Sequence, residues 1–215
     1  MTNFPLKAYS SPFSAGYWRE AAGELKRPRT LAFAALMIAA CGALAQIPAI
    51  PIGDQGLEVT WGFLARSVCG MVCGPVTALV FGFAEDTISF LIHPTGAYFP
   101  GYALTTMLGT MLYALWLYRV KFTPVSLPLR VLGAKLCTNA LNVVLGSLWS
   151  TILYGKGYLV RLTASLVKNT LMLPVQTVML FFLILALLPI LSRMDLVPRQ
   201  ELKKPKTKKE DPWES

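Results

Sequence analysis

The sequence predicts an all-α, polytopic membrane protein with six transmembrane helices and cytoplasmic N and C termini. Three observations carry that expectation. Of the 215 residues, 54% are apolar and only 14% are charged, roughly half the charged fraction of a soluble domain. The charge sits at the two ends and in a few short breaks, leaving apolar stretches of roughly 15 to 30 residues in series. The basic residues also cluster. Five of the 20 Lys and Arg (Lys7, Arg19, Lys26, Arg27, Arg29) precede the first stretch, seven (Arg193, Arg199, Lys203, Lys204, Lys206, Lys208, Lys209) follow the last, and Arg119, Lys121 and Arg130 share one internal break. Because positive segments stay on the cytoplasmic side, an even number of crossings is required, and six satisfies it. Topology thus accounts for the net charge of +9 without nucleic acid.

The chain divides into a polar cytoplasmic tail at 1–28, a six-helix membrane domain at 29–191 and a basic cytoplasmic tail at 192–215. No cleavable signal peptide is expected, since the first apolar run follows a polar tail and serves as an anchor. The first helix covers 29–45 and ends before Gln46-Ile47-Pro48, where a Gly/Pro-rich outer break begins. A short second helix at 59–73 meets Gly74-Pro75, a turn signal that starts the third at 76–92 and makes the two a hairpin. The outer loop 93–101 leads into a fourth helix ending near Tyr118. Helix five spans 129–153, closed by Tyr154-Gly155-Lys156-Gly157. Helix six spans 159–191, longer than a bilayer needs, with a kink expected at Pro174. The last residues, 203–215, are charged enough to stay unfolded.

Some residues stand out against the apolar background. Ala35, Ala39 and Ala43 recur every four residues in helix one and strip one face of bulk, which in lipid admits close helix approach, within the bundle or to another chain. Arg66, Glu85, Asp86 and Lys168 are ionisable residues inside apolar helices, where each costs a few kcal/mol unless paired or wetted. Measured from the Gly74-Pro75 turn, Arg66 and Glu85 lie at similar depth, so they can pair across the hairpin; Asp86 points about 100° away. Aromatic residues and the cations Lys156 and Arg161 collect on the outer side. They read either as an interfacial belt or as a site for a flat, anionic ligand. The four cysteines (Cys41, Cys69, Cys73, Cys137) read as small packing residues. The single histidine, His93, excludes any mechanism needing two, and no carboxylate cluster, nucleophile elbow or phosphate loop is present. No catalysis is expected.

Three ordered motifs carry a family likeness: Pro94-Thr95-Gly96-Ala97-Tyr98-Phe99-Pro100-Gly101; Leu153-Tyr154-Gly155-Lys156-Gly157; and Lys168-Asn169 followed by Met172-Leu173-Pro174-Val175-Gln176. With the six-helix layout and the alanine stripe, the chain resembles over 29–191 the folate-specific substrate-binding S components of energy-coupling factor (ECF) transporters. The resemblance implies capture of folate or a reduced folate from outside, then docking on a shared transmembrane coupling subunit with two ATPase subunits. Those partners would hydrolyse the ATP; no cofactor of its own is implied. Ala35, Ala39 and Ala43 would contact the coupling subunit. A pterin ring needs a planar slot and a carboxylate, and the glutamate tail needs cations. The candidates are Asp86 for the ring edge, Tyr98, Phe99 and Trp149 for walls, and Lys156, Arg161 and Lys168 for the tail, with Tyr102, Asn142 and Asn169 among the contacts. Two alternatives stay open: an S component for another flat vitamin, or a membrane-embedded enzyme of lipid metabolism. The latter would be expected to show several Asp near one interface, and Glu85-Asp86 alone falls short.

Overall fold

The computed structural model describes residues 14–48, 50–52, 57–92, 94, 98–155 and 157–198. They form helices α1 (Ala15–Glu24), α2 (Pro28–Leu44), α3 (Phe63–Ile92), α4 (Pro100–Leu117), α5 (Ser126–Tyr154) and α6 (Tyr158–Arg193), plus a ribbon of strands β1 (Ile50–Ile52) and β2 (Leu57–Val59). The strands pair antiparallel, Ile50 with Val59 and Ile52 with Leu57. The Gly/Pro-rich break after α2 therefore folds on itself, and the next helix starts at Phe63 rather than at Val59.

The element α3 contains a reversal. Gly74 has φ 79° and ψ 170°, a left-handed conformation that glycine adopts without steric cost. A Cβ there would also stand 3.0 Å from Cζ of Tyr118. A straight helix would hold Arg66 and Glu85 about 28 Å apart, yet their side chains are bonded. The arms 63–73 and 75–92 therefore lie side by side, as the Gly74-Pro75 signal predicts. Both arms press on α4: a Cβ on Gly70 would come within 2.9 Å of the Ala114 nitrogen, and one on Gly82 within 2.6 Å of the Met107 Cα. Such backbone-to-backbone contact is how helices gain packing energy where the surroundings are as apolar as the side chains.

Around this hairpin the core gathers Cys69, Met71, Cys73, Leu117, Val131 and Ile184, all buried. Cys41, Cys69 and Cys73 are buried free thiols. The apolar surface points outward elsewhere, with Leu91 73% and Leu171 62% exposed, a distribution that water would punish and a bilayer rewards. By length and composition α3, α5 and α6 can cross a membrane, as can α1 and α2 if that pair, bent by 73°, is one span. Burial takes in 72% of the most apolar stretch of α3 but only 17% of that of α6. The hairpin is central and α6 peripheral.

The segment 1–28 is not only a polar tail, because it contains α1. Ser14 accepts a hydrogen bond from the Tyr17 amide and caps this helix, and Tyr17, Ala21 and Glu24 are buried along one face. Glu24 is the centre of a polar knot. It accepts from Arg119 Nη2 at 2.6 Å, Thr30 Oγ1 at 2.7 Å, Arg27 Nη1 at 2.9 Å and the Tyr118 hydroxyl at 3.3 Å. Arg119, at the left-handed φ of 52°, also reaches Glu20. Burial pulls its guanidinium pKa down, but Tyr118, Glu24 and Glu20 outweigh burial and hold it up. Near the same end, Arg29 donates to the Met194 carbonyl. Lys7 and the basic residues from Arg199 onward lie outside the described residues.

Candidate ligand-binding cavity

A cavity of about 380 Å³ opens between α3, α4, α5 and α6, within the range of small-molecule sites. Its long walls come from one spacing used twice. Helix α5 contributes Lys135, Asn139, Asn142, Gly146 and Ser150, at i, i+4, i+7, i+11 and i+15. Helix α6 contributes Arg161, Ser165, Lys168, Met172 and Gln176 at the same offsets. Each set is a single helical face. The faces run antiparallel in fixed register: Arg161 Nε donates to Ser150 Oγ at 2.8 Å, and Asn139 Nδ2 to the Asn169 carbonyl at 3.3 Å. About 22 Å further along both helices, Lys135 and Gln176 end the two stripes.

The remaining walls are Phe63 and Arg66 from α3 and Tyr102 and Thr105 from α4. Arg66 is fixed by Glu85, as its depth predicts, through two bonds of 3.0 Å. Thr105 Oγ1 accepts from Trp149 Nε1 at 2.9 Å, and Trp149 meets Phe99 edge-on at 5.5 Å between ring centroids. Phe99 in turn meets Tyr102 at 6.1 Å. The structure therefore brings Tyr102, Asn142, Arg161, Lys168 and Asn169 to the cavity surface, with Phe99 and Trp149 behind the wall as its support.

Two expected contacts lie elsewhere. Asp86 is off the cavity, on the seam between α3 and α4, where its Oδ1 accepts from Thr106 Oγ1 at 3.1 Å. One residue of helix rotates it away from Glu85, and the threonine binds one of its two oxygens. Tyr98 packs back on α3, edge-on to Phe90 at 5.2 Å and 3.3 Å from Thr87 Oγ1. Lys156, His93 and the Thr95-Gly96-Ala97 part of the first motif lie outside the described residues. Ala35, Ala39 and Ala43 are all exposed on α2, away from the cavity.

The sequence reading missed Lys135. It is 4% exposed, with its ammonium 4.2 Å from the Phe63 ring centroid and 3.4 Å from the Tyr113 hydroxyl. The signal was available: a lysine inside the apolar run of helix five, starting a polar stripe that helix six repeats offset for offset. Among the described residues, four cations, Arg66, Lys135, Arg161 and Lys168, border the cavity, and no Asp or Glu does. Two wall atoms, Ser147 Oγ and Gln176 Oε1, are buried without a hydrogen-bond partner among the described residues. Buried polar groups are rarely left so, and the arrangement suits a ligand that brings both anionic groups and hydrogen-bonding edges.

No protein-family model matches the sequence. The folate transporter FolT of Clostridium novyi (strain NT) is 32% identical over 125 residues, 58% of this chain and 71% of that protein. The folate transporter FolT of Leuconostoc mesenteroides subsp. mesenteroides is 25% identical over 140 residues, 63% of this chain and 75% of that protein. The crystal structure of FolT bound with folic acid shares the fold with a TM-score of 0.63 at 25% identity, covering 73% of this chain and 91% of that one.

Proposed function

Because the chain belongs to the FolT family of folate transporters, we propose that it is the folate-binding membrane subunit of an ECF-type vitamin importer. It captures folate or a reduced folate outside the cell and delivers it through a coupling module whose ATPase subunits hydrolyse ATP. The observation that carries this reading is the cavity bordered, among the described residues, by four cations and by no carboxylate. Folate ends in a glutamate with two carboxylates, and charge-assisted hydrogen bonds to buried cations are strong and selective for such a group. The tail goes to Arg161 and Lys168, joined by Lys156, while Tyr102, Asn142 and Asn169 line its path. The chain needs no cofactor for this.

In the same reading α2, the two arms of α3, α4, α5 and α6 make six crossings of the cell membrane with both termini cytoplasmic, a topology favoured by the basic clusters at the ends. The exposed stripe of Ala35, Ala39 and Ala43 supports close approach of a helix of the coupling subunit. Calorimetric titration of the detergent-purified protein with folate, riboflavin, thiamine and biotin tests the ligand. Tight binding of folate alone, without ATP or another subunit, is expected; preference for another vitamin overturns it.

A further inference from the structure

We propose that the hydrogen bond from Thr30 to Glu24 fixes the rotation of α2 about its own axis, so that its alanine face is the one offered to the coupling subunit. The assignment rests on the docking role proposed above and deepens it. Helix α2 buries only Thr30, Ala34 and Cys41 of its 17 residues. In helical projection these three lie within about 40° of one another, while Ala35, Ala39 and Ala43 centre about 180° from Thr30. Partly buried Phe33, Met37 and Leu44 pack on the core beside the buried line. Such apolar contact holds a helix down without directing its rotation, because it is non-directional. Thr30 adds direction: it is 4% exposed, and its Oγ1 donates to Glu24 Oε2 at 2.7 Å.

Glu24 is itself held by the rest of the bundle. Its Oε1 accepts from Arg119 Nη2 and the Tyr118 hydroxyl, at the end of α4. Its helix α1 is seated by Tyr17, whose hydroxyl donates to the Ala114 carbonyl at 3.4 Å and whose ring meets Tyr118 edge-on at 5.5 Å. One carboxylate thus ties α2 to α4, with Oε1 on one side and Oε2 on the other. Other polar ties of α2 direct it less. Arg27 and Arg29 act through long, exposed side chains, and Cys41 donates to the Gly62 carbonyl through sulfur, a weak donor, at 3.8 Å. A rotation of about 60° in one sense would bring Leu36 to the centre of the alanine face, and one of about 80° in the other sense Leu31. These leucines are 60% and 46% exposed, and either would keep a partner helix at a distance. Glu24 and Thr30 are therefore positioning residues: neither lines the cavity, and both act through the alanine face.

The test compares Thr30→Val, which loses the hydroxyl, with Thr30→Ser, which keeps it, in the full chain. Calorimetry gives folate affinity, thermal unfolding gives stability, and co-purification with the coupling and ATPase subunits of the same cell gives assembly. Thr30→Val is expected to keep folate affinity within about threefold, as for a site remote from the ligand. It should assemble roughly 10- to 150-fold less well, the effect of losing a hydrogen bond to a charged group, while Thr30→Ser assembles like the wild type. Adding Leu31→Ala and Leu36→Ala to Thr30→Val should restore assembly, because the rotated face is then small again; lost stability alone would not be rescued this way. If the valine variant does not fold, Thr30→Ala takes its place, and failure of both to fold overturns the assignment, since Thr30 would then hold the fold rather than aim α2. Normal assembly of folded Thr30→Val, folate affinity lost with assembly, or no rescue by the leucine changes overturns it as well. Ala35→Leu combined with Ala39→Leu separates the two readings. If that variant is blocked while Thr30→Val assembles normally, this assignment alone fails; if it assembles normally, the docking role fails and this assignment with it.

Discussion

Arg66 and Glu85 grip each other across the Gly74 reversal, Nε to Oε2 and Nη2 to Oε1, both at 3.0 Å. Glu85 is 2% exposed, while the Arg66 side chain keeps 30% of its surface and borders the cavity. The pair therefore pins the hairpin and sets one wall of the site at once. Removing one member strands the other in apolar surroundings, which costs several kcal/mol. Glu85→Gln should destabilise the protein by about 3 kcal/mol, and Arg66→Met combined with Glu85→Met should recover most of that loss. Thermal unfolding in detergent reads both. Additive losses in the double variant would mean that the two residues do not act as a pair.

The tail cations should separate two ligands that differ only at the glutamate. Arg161→Ala and Lys168→Ala are each expected to weaken folate on the order of 30-fold or more, the effect of removing one partner of a desolvated charge pair, and to spare pteroate. Lys156→Ala should follow the same pattern. Parallel titrations decide it, and equal losses for both ligands in every variant would remove these cations from the tail.

Asp86→Asn, by contrast, should leave folate affinity within about threefold, the scale of substitutions away from special features. Its Oδ1 accepts from Thr106, and the residue is not among those that line the cavity. A loss beyond tenfold in folded protein would return Asp86 to the ring edge.

Replacing Ala35 and Ala39 together by Leu should preserve folate binding and abolish uptake by the assembled transporter. Both alanines are exposed on α2, and bulk there keeps a second helix at a distance. Vesicle uptake beside calorimetry checks the split: normal uptake, or binding lost together with it, removes the docking role.

What could be read in the sequence was whatever depends on spacing along one helix. Gly74-Pro75 announced the reversal, and counting residues from it brought Arg66 and Glu85 to one level. The same arithmetic turned Asp86 away from Glu85 but did not say towards what, because Thr106 arrives from another helix. Helix α1 went unseen since AGYWREAAGE has no apolar run; its stability comes from Tyr17 and Glu24 burying against α4 and Arg119, contacts 95 or more residues away. Lys135 was passed over although it opens the polar stripe of helix five, because the groups that bury it, Phe63 and Tyr113, arrive from other helices. The aromatic walls were half legible: Phe99 and Trp149 do meet, but their rings turn to each other and leave the cavity surface to Tyr102 and Thr105.

The Gly74 reversal also bears on how the chain enters a bilayer. Its first arm, 63–73, is about 16 Å long, about half the thickness of the hydrocarbon core. Under the six-crossing proposal this arm needs local thinning of the bilayer or its flanking residues to complete the passage, so the two arms would have to insert together, as one segment. A single dihedral decides whether that segment passes through as one rod of about 45 Å or doubles back. An L side chain at position 74 strains that dihedral, and a segment that passed as a rod would cross once where the proposed hairpin crosses twice. Helices α4, α5 and α6 would then thread in the opposite sense, and a reporter enzyme fused after Arg193 would light up on the wrong face of the membrane.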